Sequence, residues 1–338
     1  MVIFAAMQKI LVIQTAFIGD VVLATGILEK LHAQYPEASI DILVRKGNES
    51  LFTDHPFLHA VLVWDKKRSK YAHLFSLLKQ IRKNRYDVLI NIQRFAATGF
   101  LTAFSKARQT IGFDKNPFSF LFSDVILHEV SEGDHTLHEI ERNFELIRSL
   151  TNGVAAKPKL YPSEKDKKTV EQWTDKKYIC LAPASVWFTK QFPADQWKDF
   201  VDNLPNNIVV YLLGAPGDHG LCETIRAGSQ HSSVINLAGK LNFLQSAALM
   251  QDAVMNYVND SAPMHFASSV NAPVAAVYCS TIPAFGFGPL SDNSHIIEVA
   301  EPLSCRPCGL HGKRACPLGH FNCARQITRR QLLAVLPQ

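Results

Sequence analysis

Short, unbroken apolar runs alternate with amphipathic stretches along this chain, and they do so in two successive series. "KILVIQ" (9–14) is such a run, and "VVLATGILEKLHAQYP" (21–36) follows it with apolar residues at Val21, Ala24, Leu28, Leu31 and Tyr35. The first pattern suits a strand buried on both faces; the second has helical spacing and is closed by Pro36. "SIDILVR" (39–45), "AVLVW" (60–64), a helix near 71–84, "YDVLINIQ" (86–93), a short helix near 97–106, "TIGF" (110–113) and a long amphipathic helix over 135–150 complete a first series. A polar stretch rich in Lys and Pro, 151–177, reads as a linker with an entry helix. The second series has strands "YICLAPA" (178–184), "NIVVYLLGA" (207–215), "VINLAG" (234–239), "VMNYVND" (254–260) and "VAAVYCS" (274–280). Strands alternating with helices predict parallel sheets, hence an α/β protein of two Rossmann-like domains facing each other across a cleft. The expected bounds are 7–150 and 178–327, with a C-terminal helix over 328–338.

The 338 residues are 47% hydrophobic and 19% charged, a globular profile with no apolar run long enough to span a bilayer. "MVIFAAM" lacks a basic n-region and is too short for a signal peptide, so the cytoplasm is the expected location. Met7 starts a cleaner strand, which leaves residues 1–6 as an extra start or a tail. The net charge of +5 does not point to nucleic acid, but "KKRSK" (66–70) and "KQIRKNR" (79–85) concentrate basic residues in the first half. They form either a solvated face or a surface for an anionic partner such as a membrane.

Polar groups gather where strands end. "APASVWFTKQFP" (182–193) sets Ser185, Thr189 and Lys190 between a strand and a helix, where open α/β sheets bind ligands and helix N-termini favour phosphate. "LLGAPGD" (212–218) has Gly214 and Gly217, which allow close backbone approach. "VNDSAPMHFASS" (258–269) brings Asp260 and Ser261 to a strand end and Met264 and His265 to a helix start. Asp260 is an N-cap or a ligand group, and His265 a core histidine or a ligand group. Asp20, in "TAFIGDVVLATGIL" (15–28), is either an N-cap or a general base. Gly19 is the only glycine before that helix, so the dinucleotide fingerprint is missing and a nicotinamide enzyme is not expected.

"CRPCGLHGKRACPLGHFNC" (305–323) spaces four thiols as C-x2-C-x7-C-x6-C, with His311 and His320 among them. Cys305, Cys308, Cys316 and Cys323 are candidates for a structural tetrahedral Zn site, in which one His could replace a Cys. An iron–sulfur cluster and a loop of reduced thiols are the alternatives.

"FIGDVVLATGIL", "APASVWFTKQFP", "YLLGAPGD", "NLAGKLNF", "VNDSAPMHFA" and "PVAAVYCSTIPAFGFGP" occur in this order from the first strand onward. As an ordered set spanning Met7 to about Ile327 they resemble the lipopolysaccharide core heptosyltransferases, the ADP-heptose glycosyltransferases. That resemblance implies a GT-B architecture and an inverting transfer without a catalytic metal or other cofactor. The second domain would bind the nucleotide sugar through Ser185, Thr189, Lys190, Gly214, Leu241, Asp260, Ser261, Met264 and His265. Asp20 would be the base and Lys190 the stabiliser of the leaving diphosphate, with adenine lying near Leu237–Leu241. Gln93, Arg94 and His135 are the acceptor-side candidates. The implied partners are ADP-heptose and a lipid A–core saccharide, met by a monomer at the cytoplasmic face of the inner membrane, without nucleic acid. The chain departs from the family in having one Ser where some members carry paired threonines in the phosphate loop. Two other readings stand beside this one: the same fold using another nucleotide-sugar donor or acting as an epimerase, and a non-catalytic metal-binding scaffold.

Overall fold

A computed structural model describes residues 9–67, 70–129 and 137–337. The described residues divide into two compact units, one ending at Tyr161 and the other beginning at Pro162. In the first, β1 (Lys9–Ile13), α1 (Ile18–Gln34), β2 (Ser39–Arg45), β3 (Leu58–Trp64), α2 (Lys70–Asn84), β4 (Val88–Asn91), α3 (Ala96–Ala103), β5 (Gln109–Phe113), β6 (Asp124–Ile126) and α4 (Glu139–Glu145) follow one another. The six strands form one sheet in the order β3-β2-β1-β4-β5-β6. Every pair is parallel, with Ile13 opposite Leu43 on one side and Asn91 on the other.

The second unit opens with α5 (Glu164–Val170) and continues through β7 (Tyr178–Ala182), α6 (Ala194–Asp202), β8 (Val209–Leu212), α7 (His219–Gly228), β9 (Val234–Asn236), α8 (Phe243–Gln251), β10 (Met255–Asn259), α9 (Ala262–Ser269), β11 (Val274–Tyr278), β12 (Ser294–Glu298), α10 (Asn322–Arg325) and α11 (Arg329–Ala334). Its sheet is again six-stranded, in the order β12-β11-β10-β7-β8-β9. Both orders are the doubly wound one, which turns from one side to the other between β1 and β4 in the first unit and between β7 and β10 in the second. The expected α/β class with two parallel sheets is borne out.

The apolar runs become strands because both of their faces are covered. β4, β7, β8, β10 and β11 are buried at every position. In the first unit Leu74, Leu77, Leu78 and Ile81 of α2 close over Leu11, Ile13, Leu43 and Leu62. In the second, Trp197 packs edge-on to Phe192 at 4.8 Å and near Phe200, which tilts against Tyr257 at 4.5 Å. The helices start where their first-turn amides find acceptors: Ser163 and Asp166 cap α5 reciprocally, as Asn242 and Gln245 cap α8.

Differences from the sequence reading lie at sheet edges and helix ends. The edge strand β6 is only three residues long, and β12 carries three polar residues in five, so neither stands out as an apolar run. Within the described part of the helix expected over 135–150, the chain is regular from Glu139 to Glu145 and then tightens into turns, with Ile147 donating to Phe144 O at 2.9 Å and Leu150 to Ile147 O at 2.9 Å. Residues 1–6, the helix's first residue, His135, and Met7 lie outside the described residues. No described helix is long and apolar enough to cross a membrane.

Gly26 lies inside α1, where Ala would ordinarily stabilise the helix. A Cβ there would sit 2.5 Å from Ala156 O. Gly26→Ala is therefore expected to destabilise the protein by about 1–3 kcal/mol, read as a lower urea midpoint; a raised midpoint would refute this packing.

Candidate active site

In a doubly wound sheet the crevice lies at the carboxyl ends of the strands, where the order reverses. For the second unit that edge is made by the segments after β7 and β10. Val258 pairs with Ala182, so the two strands end side by side. Lys190, in the turn between β7 and α6, reaches Asp260, just past β10, with Nζ 2.7 Å from Oδ2. Thr281 donates to the same Asp260 oxygen at 2.6 Å. Asp260 therefore is not a cap of α9; that position belongs to Ser261, whose hydroxyl lies 3.5 Å from Ala184 O. Ser185 is half-buried in the same loop, and its carbonyl accepts from Gln191 Nε2 at 2.7 Å. A cation, a carboxylate and two Ser hydroxyls thus occupy one sheet edge.

Thr189 and Met264 support this edge from beneath. Thr189 is 1% exposed, and its hydroxyl oxygen receives the Lys313 N–H at 2.7 Å and lies 2.9 Å from Ser280 Oγ. Met264 is fully buried, its sulfur accepting from the Tyr278 hydroxyl at 3.3 Å, and His265 is buried on the same helix. The loops after β8 and β9 pack on each other: Gly239 donates to Gly214 O at 2.9 Å, and a Cβ on Gly239 would meet Pro216 Cα at 2.9 Å. Gly214 lies against Asp218, whose carboxylate accepts from Ala215 N at 2.8 Å. Leu237 is buried and Leu241 half-buried beside them.

Several residues that shape this edge escaped the sequence reading. Asn259, fully buried, accepts from Phe192 N at 3.0 Å and donates to Pro183 O at 2.7 Å, tying both ends of the Lys190 loop to β10. Asn256 and Asn259, in an otherwise apolar and fully buried strand, were the available signal. Arg306 reaches the end of β11, donating to Cys279 O at 2.8 Å, to Thr281 O at 2.7 Å and to Glu298 at 2.6 Å. Gly312, at φ +74°, leaves room that a Cβ would take from Lys190 Cγ at 2.9 Å.

The cysteine-rich segment is thus a brace against the Lys190 loop, and the expected Zn set is not formed. Among the described residues no three His, Cys, Asp or Glu side chains are grouped to hold a metal ion. Cys323 is drawn into the apolar core beside Phe321, Ala324 and Ile327, where burial and the neighbouring thiols push its pKa up to about 11. Cys308 directs its sulfur to Cys305 O at 3.3 Å, and burial raises its pKa also.

In the first unit the corresponding edge follows β1 and β4. Asp20 is the third residue of α1 and receives the Phe17 N–H at 3.1 Å, closing the helix's first turn. Burial, and next the charge of Glu139, raise its pKa to about 6, against the opposing pull of hydrogen bonds and Arg45. Gln93, 6% exposed, turns its amide inward to Gln14, and its carbonyl accepts from Asn116 at 2.9 Å. Arg94 beside it is exposed. Arg45 stacks over the Phe17 ring at 4.8 Å. Glu139, held by Arg142 at 2.8 Å, was not foreseen and is the charge that most affects Asp20.

Comparison with known proteins gives a consistent result. Residues 74–318 match the family model of glycosyltransferase family 9 (heptosyltransferase), a span that contains Lys190 and Asp260 but not Asp20. Lipopolysaccharide heptosyltransferase 3 of Escherichia coli (strain K12) is 26% identical over 285 residues, 78% of this chain and 80% of that one. The structure of E. coli ADP-heptose lps heptosyltransferase II superposes with a TM-score of 0.79 at 22% identity, covering 97% of each chain. A glycosyltransferase family 9 structure from Veillonella parvula DSM 2008 gives 0.84 at 19% identity, covering 97% and 96%. The family resemblance carried by the ordered motifs is borne out.

The buried hydroxyl of Thr189 yields a direct test of the brace. Thr189→Val removes the acceptor for Lys313 N–H at nearly constant volume and should cost about 1–3 kcal/mol of stability, while Thr189→Ser should cost less. Equal urea midpoints for Thr189→Val and wild type would contradict it.

Proposed function

The chain belongs to glycosyltransferase family 9, the heptosyltransferases, and from that premise we propose that it transfers a heptose from ADP-heptose to a lipid-linked lipopolysaccharide core saccharide with inversion. The observation that carries this reading is the Lys190–Asp260 pair at the switch point of the second sheet, 2.7 Å apart and flanked by Ser185 and Ser261. That edge suits a diphosphate: a cation, hydroxyl donors and the start of α9 converge there, and Asp260 holds Lys190 in place until the anion arrives. The adenosine would extend along the packed loops after β8 and β9, against Leu237 and Leu241. Similar proteins named as ADP-heptose and lipopolysaccharide heptosyltransferases support the donor and acceptor.

In the proposed step the acceptor hydroxyl oxygen bonds to the anomeric carbon as the bond from that carbon to the phosphate oxygen breaks. The electron pair leaves with the diphosphate, whose added charge Lys190 stabilises. The hydroxyl proton passes to Asp20, whose raised pKa makes it a better base than an ordinary carboxylate at neutral pH. Arg94 and the loop around Gln93 are proposed for the acceptor side. The acceptor is met by a monomer at the cytoplasmic face of the inner membrane.

Calorimetric titration tests the clamp. ADP should bind in preference to UDP and GDP, and Lys190→Ala should weaken ADP by about tenfold or more. Preference for UDP or GDP would sink the heptose donor, and unchanged ADP affinity in the variant would sink the clamp. The base makes a separate prediction. Asp20 is protonated below about 6, so kcat/KM should rise with pH through that value and level off above it. Glu139→Gln removes the anion that raises the Asp20 pKa, and so should move this limb to lower pH. Asp20→Asn should lose about 10²–10⁴-fold in kcat while keeping ADP affinity. A limb that stays put in Glu139→Gln would assign it to another group.

A further inference from the structure

One face of the first unit has a composition that neither the donor edge nor the core explains. On α2, Tyr71, Phe75, Lys79 and Arg82 recur at helical spacing along a stripe that flanks Leu74, Leu77, Leu78 and Ile81, which enter the core. Tyr71 is 70% exposed and Phe75 60%. The aromatic surface continues onto α3 and the turn that follows β5. Phe75 meets Phe100 edge-on at 5.7 Å, Phe100 lies 5.0 Å from Phe104, and both Phe100 and Phe104 lie 6.3 Å from Phe118. Beside them Phe120 is 77% exposed and Leu121 46%.

The sequence that builds this face is strongly basic. Between residues 70 and 121 the sequence has nine Lys and Arg against two acids, Asp87 and Asp114, and α2 and α3 contain no acid. Both acids already face cations, Arg108 at 3.2 Å and Lys115 at 3.3 Å. Lys79, Arg82 and Lys83 are exposed, and Arg82 also donates to Phe104 O at 2.7 Å, which joins the basic end of α2 to the aromatic cluster. A merely solvated basic helix does not need large exposed rings, and a protein interface of this kind would call for an acidic partner. Exposed aromatics ringed by cations match the two halves of a bilayer surface: rings settle among the headgroups while Lys and Arg meet anionic phosphates.

We propose that this face, formed by α2, α3 and the 115–121 turn, docks the protein on an anionic lipid bilayer. The proposal deepens the membrane-side part of the reading above, but its test needs neither donor nor acceptor, so either can fail without the other. Full-length protein would be floated with phosphatidylcholine vesicles with and without phosphatidylglycerol. Wild type should float with the anionic vesicles, less so as salt rises, and not with phosphatidylcholine alone. Phe75→Ser with Phe120→Ser keeps the charge and should lower the bound fraction by about tenfold. Lys79→Glu with Lys83→Glu should abolish binding. ADP affinity should be unchanged in both variants, which also reports that they are folded. In Phe120→Trp, brominated anionic lipids should quench the added fluorescence. Absence of wild-type binding, or binding untouched by the aromatic double variant, would overturn the proposal. So would self-association of wild type that the same substitutions remove, since the face would then belong to a second copy.

Discussion

Parallel pairing is the constraint on which the rest depends. A parallel strand cannot return by a tight turn, so each must be followed by a crossover that covers one face of the sheet. Repeated in both units, this buries the central strands completely and delivers every strand end to one edge. The reversal of order between β1 and β4, and between β7 and β10, then opens that edge at one place in each sheet. Asp20 and Gln93 follow the first pair of strands, Lys190 and Asp260 the second. Their positions follow from topology before any particular contact is considered.

Topology alone does not hold a loop still, and here buried polar groups do that. Asn259 fastens both ends of the segment from Pro183 to Phe192, while Thr189 ties its middle to Lys313 and Ser280. Each tie satisfies donors and acceptors that would be costly to leave unmade in so dry a place. The result is a loop whose backbone is fixed on its inner side and whose Lys190 faces Asp260 on the other. This is the arrangement needed where charge must be stabilised without waiting for side chains to reorganise.

The sequence made the central strands and the edge loops readable, because continuous apolar runs and clustered Ser, Asp and Lys are local signals. It could not separate residues that face the edge from those that support it. Ser185, Thr189 and Lys190 are neighbours in the chain, yet Thr189 is turned inward, where its hydroxyl meets Lys313 N–H and Ser280, residues far along the chain, and Gly312 leaves the room for this close approach. The effect of Glu139 on Asp20 was equally hidden, since it arises from packing between helices distant in sequence. Edge strands such as β12 were missed because one exposed face removes the apolar continuity on which strand reading relies.

The cysteine segment shows why spacing is weaker evidence than surroundings. Four thiols in nineteen residues satisfy the arithmetic of a tetrahedral site, but ligation also needs side chains grouped to hold one ion, and among the described residues no such group is formed. Here Cys323 serves the apolar core. The segment's polar contacts come instead from its backbone and from Arg306: Cys308 N–H to Ser280 O at 2.9 Å, Lys313 N–H to Thr189, and the guanidinium to the end of β11. All of these converge on the strand ends that carry Thr281, and through it Asp260 and Lys190. The segment therefore acts on the candidate site by fixing the shape of its floor, a role that its glycines and amides perform as much as its sulfurs.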